Sequence, residues 1–90
     1  MSFPKVLDDA CVLYYTPQDC YGTVRYTTGE AVGNISYLAI CKYKNDSAYY
    51  LFGCNAAYEV VSDSLWNTVE ECMCAAKNSY DCVVSWIAMF

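Results

Sequence analysis

Apolar and polar positions alternate most clearly in the middle of the chain. Ile35 to Tyr43 and Ala48 to Cys54 are strand-like runs of β-branched and aromatic residues, separated by Lys44-Asn45-Asp46-Ser47, a four-residue hairpin loop. A second break at Asn55-Ala56-Ala57 leads into Tyr58-Glu59-Val60-Val61, which predicts a three-strand meander. Upstream, Ala10 to Tyr15 reads as a strand ended by the turn chemistry of Thr16-Pro17-Gln18-Asp19. Tyr21 to Thr28 reads as another, and Gly29 to Asn34, with two glycines and an asparagine, as a loop. The nearly uninterrupted apolar stretch Cys82 to Phe90 is expected to pair inside the sheet.

The period changes after Asn67. Thr68-Val69-Glu70-Glu71 has the form of a capping box, in which the threonine hydroxyl accepts from the Glu71 backbone and the Glu71 carboxylate reaches back. Val69, Cys72, Met73 and Ala76 then recur at helical spacing as one apolar stripe. Glu70 and Glu71 complement the positive end of the helix dipole and Lys77 the negative end. Asn78 is suited to a left-handed C-terminal residue. The expected fold is a single α+β domain over residues 1–90, an antiparallel sheet of about five to six strands with one short helix packed on one face. A helix of roughly ten residues is about 15 Å long and cannot cover both faces.

Hairpin register assigns the faces. Centring the first hairpin between Asn45 and Asp46 sets Cys41 opposite Tyr50 and Ala39 opposite Phe52; centring the second on Ala56 sets Phe52 opposite Val60 and Cys54 opposite Tyr58. One face then collects Tyr37, Ala39, Cys41, Tyr43, Tyr50, Phe52, Cys54, Tyr58 and Val60; the other collects Leu38, Ile40, Leu51 and Val61. The aliphatic face is the natural partner for the helix stripe. The charge-free tyrosine face carries hydroxyls that favour water or a hydrogen-bonding partner, and tyrosine gives a recognition surface large area at little entropic cost. Tyr37, Tyr43, Tyr50, Phe52 and Tyr58 are therefore the candidate partner-binding residues, at a homodimer seam or a site for another protein. Two other readings stay open: the N-terminal segment folds over this face, or the faces are exchanged and the tyrosines line the core.

Composition narrows the chemistry. The chain has 90 residues, net charge −5, seven cysteines and no histidine, so it lacks the commonest general base and metal ligand. The acidic balance, with Arg25 the single arginine, argues against nucleic acid as partner. No run approaches the roughly 20 apolar residues needed to span a membrane. An odd cysteine count, apolar surroundings for most of the thiols, and a start without the basic and apolar regions of a signal peptide favour reduced cysteines and a cytoplasmic location. A removed leader would reopen the disulfide alternative.

Cys72-Met73-Cys74 has no second C-x-x-C or histidine pair to complete a metal site, and reads as one buried and one peripheral thiol. No phosphate loop, nucleophile elbow or zinc-protease motif occurs. Gly53 reads as a bulge, Asp8-Asp9 as a solvated pair, and Glu70-Glu71 as capping residues rather than paired catalytic carboxylates. The expectation is a non-enzyme without cofactor or metal.

The succession Tyr49-Tyr50-Leu51-Phe52-Gly53-Cys54, Tyr58-Glu59-Val60-Val61-Ser62-Asp63 and Thr68-Val69-Glu70-Glu71-Cys72, preceded by Ile35 to Tyr43, resembles small uncharacterised bacterial proteins in which a Y-L-F strand leads to a W/Y-x-V strand, an aspartate and a capped T-x-E-E helix. The resemblance covers positions 35 to 77. It implies a hairpin-plus-helix fold and proteins suspected of being immunity or accessory factors, without site residues to carry over. The leading expectation is a bacterial or mobile-element interaction protein, such as an immunity protein or inhibitor, steered by its carboxylates toward a basic target. The alternative is a small-molecule-binding domain using the aromatic face, with a dimer interface as one place for it; a third is cysteine-dependent redox or transferase chemistry.

Overall fold

A computed structural model describes residues 3–25, 31–80 and 84–89. In chain order the elements are β1 (Val6–Leu7), β2 (Ala10–Tyr15), β3 (Gly22–Arg25), β4 (Ala31–Ile35), β5 (Tyr37–Lys42), β6 (Tyr49–Cys54), β7 (Val60–Trp66), α1 (Val69–Ser79) and β8 (Ile87–Ala88). The fold is α+β. Its main sheet is antiparallel and six-stranded in the order β1-β2-β5-β6-β7, with β8 also paired to β2; β3 and β4 form a separate two-stranded sheet.

The first central hairpin has the expected register, with Cys41 opposite Tyr50 and Ala39 opposite Phe52. The second departs from it. Cys54 lies opposite Val60 and Phe52 opposite Asp63, with a register shift beside Gly53. Gly53 is next to the bulge, but the extra residue, Val61, belongs to β7. Tyr58 is not a ladder residue; it stands in the turn at φ 62°. Asn55 builds this turn, its side-chain oxygen accepting from the N–H groups of Ala57 and Glu59 at 2.9 and 3.0 Å. The left-handed position that closes such a turn ordinarily takes glycine.

Three other expectations change. The segment Gly29–Asn34 is not simply a loop, because Ala31–Ile35 is β4, in register with β3 from Gly22↔Ile35 to Arg25↔Ala31. Ladder pairing overrides the weak strand preference of glycine and asparagine there. The strand expected over Tyr21–Thr28 spans Gly22–Arg25, with residues 26–28 outside the described residues. Helix α1 begins as expected, Thr68 Oγ1 accepting from the Glu71 N–H at 3.1 Å, but continues through Asn78 to Ser79 and is capped by Tyr80, whose N–H donates to Ala76 O at 3.2 Å. Asn78 uses its amide on Cys74 Sγ within the helix instead.

Side-chain alternation divides the interior into two cores. On the helix side Leu38, Ile40, Leu51, Cys72 and Ala76 are buried with Tyr21 and Ile35, and Val61, Val69 and Met73 pack against them. On the other side Ala39, Cys41, Phe52 and Cys54 are buried with Phe3, Leu7, Ala10 and Val12. Gly53 permits close layering on the helix side, since a Cβ there would collide with Ser62 Oγ and stand 3.1 Å from Ile35 Cδ1. Thr16, expected as a turn residue, is fully buried and extends the β2–β5 ladder. Its N–H donates to Leu38 O at 3.0 Å, and its Oγ1 accepts from Leu38 N–H at 2.9 Å.

Of the apolar tail, Ile87 and Ala88 pair with Tyr15 and Tyr14 of β2. Residues 82, 83 and 90 lie outside the described residues. Both β1 and β8 therefore use β2, the first against Ala10 and Cys11 and the second against Tyr14 and Tyr15. A bulge between Val12 and Tyr14 separates these two stretches.

Candidate functional site

The five candidate tyrosine-face residues come together. Phe52 is buried, and Tyr37, Tyr43, Tyr50 and Tyr58 are half-buried against the same core. They form two groups. Tyr37 and Tyr58 stack at 4.9 Å, and Phe3 lies on them, meeting Tyr37 edge-on at 5.6 Å and Tyr58 at 5.3 Å while stacking on Tyr15 at 4.7 Å. Segment Phe3–Leu7 thus covers this end of the face, with Phe3 7% and Leu7 5% exposed.

The second group is Tyr43 and Tyr50, whose rings meet edge-to-face at 5.1 Å across the first hairpin. The Tyr50 hydroxyl donates to Asp46 Oδ2 at 3.0 Å, while Asp46 Oδ1 accepts from Ala48 N–H at 3.0 Å. These two bonds, the backbone one foremost, hold the Asp46 carboxyl below the usual carboxylate range. The same bond raises the Tyr50 phenol above its ordinary value. Tyr43 is raised too, by burial first and then by the negative field of Asp8, Asp9 and Asp63. This end of the face is aromatic and strongly acidic.

The register of β7 adds two residues that the sequence pattern left out. Asp63 lies opposite Phe52 and Leu65 opposite Tyr50, which puts both on the tyrosine face. Leu65 is 56% exposed, a large aliphatic side chain directly beside Tyr50. The alternation of Asp63 and Leu65 against Ser62, Ser64 and Trp66 was available as a signal that the strand continues past Val61. Without knowledge of the bulge, that signal assigns them to the wrong face.

Cys41, Cys54 and Cys72 are fully buried. Burial is the main cause of a raised pKa for Cys41, for Cys54 (to about 12) and for Cys72 (to about 11). Cys72 faces the helix-side core and Cys74 is exposed, the division expected for this pair. Among the described residues no group of three or more histidine, cysteine or acidic side chains is arranged to hold a metal ion. No helix among them is long and apolar enough to cross a membrane. A pocket of about 350 Å³ lined by Asn34, Ser36, Asn55, Ala56 and Ala57 lies away from the tyrosine pair. In Asn55 the side-chain oxygen serves the turn and the amide donates to Glu59 Oε1 at 3.0 Å. Compared with known proteins, the chain matches no family model, no curated sequence and no solved structure.

Proposed function

We propose that this chain is a non-enzymatic binding domain that engages another protein through the Tyr43–Tyr50–Leu65 end of its tyrosine face, as an immunity protein or inhibitor of bacterial or mobile-element origin does. The observation that carries this reading is the exposure of Leu65 opposite Tyr50. An exposed aliphatic side chain opposite half-buried Tyr50, whose ring meets that of Tyr43, is the composition of an interface centre, where rigid aromatic area is desolvated on contact. Asp46 and Asp63 lie at its margin, and the whole chain carries charge −5. That field steers a basic partner toward the patch and opposes pairing of two copies, which favours a different protein over a homodimer. The resemblance over positions 35–77 to suspected bacterial immunity or accessory proteins points the same way, and a cytoplasmic site of action belongs to the same reading.

Photocrosslinking tests it. A photoreactive residue placed at Leu65, in cells of the source organism, is expected to trap one protein that the same group placed at Cys74 does not. With that partner purified, Tyr43→Ser and Leu65→Ser are each expected to weaken binding by roughly tenfold or more, as central interface residues do. Identical crosslinking from the two positions, or unchanged affinity in both variants, overturns the reading.

A further inference from the structure

Segment Phe3–Leu7 occupies the sheet as a bound peptide would. Its phenyl ring fills an aromatic socket made by Tyr15, Tyr37 and Tyr58, at ring separations of 4.7, 5.6 and 5.3 Å. Its backbone lies along β2, but through few bonds. There are two ladder pairs, Val6↔Cys11 and Leu7↔Ala10, and the Val12 N–H donates to Lys5 O at 2.9 Å. The Val6 side chain between the two buried anchors is 53% exposed.

The connection to β2 is strained. Asp8 and Asp9 form the two-residue loop between Leu7 and Ala10, with φ 46° and 67°. A hairpin with both central residues at positive φ ordinarily takes an Asn-Gly or Asp-Gly pair, since Asn and Asp tolerate that region and glycine has no Cβ to oppose it. Asp8 fits the first position, and Asp9 stands where glycine is expected. Here both positions carry a side chain, and both side chains carry a negative charge. Lifting the segment releases the cost of holding these residues at positive φ.

We propose that Phe3–Leu7 is a displaceable strap, and that the socket of Tyr15, Tyr37 and Tyr58 receives in its place an extended peptide segment carrying a phenyl ring, added along β2. This rests on the tyrosine face being a contact surface and names the chemistry of the segment it takes. A partner strand would gain the backbone pairing that β1 now has, the recognition mode of strand addition, with the aromatic side chain giving specificity. The strap holds the socket shut against non-specific association until such a segment competes for it.

The test reads opening without any partner. Cys41 and Cys54 are fully buried in the same core as Phe3 and Leu7, whereas Cys72 is fully buried on the helix side and serves as the internal reference. The intact chain is alkylated with iodoacetamide and each site is quantified by mass spectrometry. Strap opening predicts that Cys41 and Cys54 react at least about tenfold faster than Cys72, since a local opening is more populated than global unfolding. Phe3→Ala is expected to accelerate both by a further factor of about ten while leaving Cys72 unchanged. Asp9→Gly, which removes the positive-φ penalty, is expected to slow both by about tenfold. Equal rates at all three thiols, or equal acceleration of all three in Phe3→Ala, means that only global unfolding exposes them and overturns the strap.

The socket is tested in trans. The peptide Ser-Phe-Pro-Lys-Val-Leu, added to Phe3→Ala, is expected to restore protection of Cys41 and Cys54, and the same peptide with alanine for phenylalanine is not. No protection by the first peptide, or equal protection by both, overturns the phenyl-specific socket. Crosslinking at Leu65 is independent of these rates, so the strap and the contact-surface reading fail separately.

Discussion

The two sides of the main sheet are covered by very different means. An eleven-residue helix, capped at Thr68, lies on one side with the Tyr21 and Ile35 side chains beside it. On the other, the edge segment Phe3–Leu7 turns its Phe3 and Leu7 side chains into the core and joins β2 through a loop with two positive-φ aspartates. The helix side buries large aliphatic side chains; Leu38 and Ile40 are fully buried and each contributes roughly 1.5–3 kcal/mol. The tyrosine side buries Phe3, Leu7 and Phe52 around the smaller Ala39, Cys41 and Cys54, and leaves its tyrosine rings half-exposed. One face is closed by a capped helix, the other by a short edge segment reached through a two-residue loop.

The largest effect expected on this contrast is from Leu38→Ala. Its cavity lies at the centre of the helix side, and the loss is expected to be roughly 3–5 kcal/mol, read by urea denaturation with an unchanged m-value. A loss below about 1 kcal/mol would mean that the helix side is not the more firmly built face. Next comes Gly53→Ala, where the added methyl meets Ser62 and Ile35; about 1–3 kcal/mol is expected by the same measurement. Thr16→Val keeps shape but strips the acceptor from the buried Leu38 N–H, costing about 1–3 kcal/mol and raising the exchange rate of that amide.

The smallest effects are those of pH, and they fall on the tyrosine side. Asp46 has a lowered pKa in the folded chain, so its contribution is fully present above the ordinary carboxylate value near 4 and fades as pH falls through the lowered one. Tyr50 and Tyr43 have raised values, so their contribution is intact below about pH 10 and is lost as pH rises toward the raised ones. Asp46→Asn is expected to bring the Tyr50 titration, followed by phenolate absorbance, back toward its ordinary value. An unmoved Tyr50 titration would separate that tyrosine from the aspartate.

Local signals carried much of the fold into the sequence. The Thr68 cap, the stripe Val69-Cys72-Met73-Ala76 and the hairpin about Asn45-Asp46 all depend on neighbours a few residues away, and the structure has each of them. The nine residues assigned to the tyrosine face do share one core, despite the misplaced second hairpin. What escaped depends on distant pairing or unusual backbone. Strand β4 is rich in glycine and asparagine and exists because β3 pairs with it. The Asp8-Asp9 turn escaped because two aspartates rarely occupy the positions that turn demands. Thr16 looked like the start of a turn because its buried partner, Leu38, lies far along the chain. In the candidate site, the tyrosines were legible from alternation, whereas Asp63 and Leu65 were hidden by one inserted residue.

That inserted residue, Val61, acts as a phase shift in β7. Before it, the even-numbered Val60 belongs to the tyrosine face; after it, the odd-numbered Asp63 and Leu65 do. The two ends of the face are thus written in opposite parity.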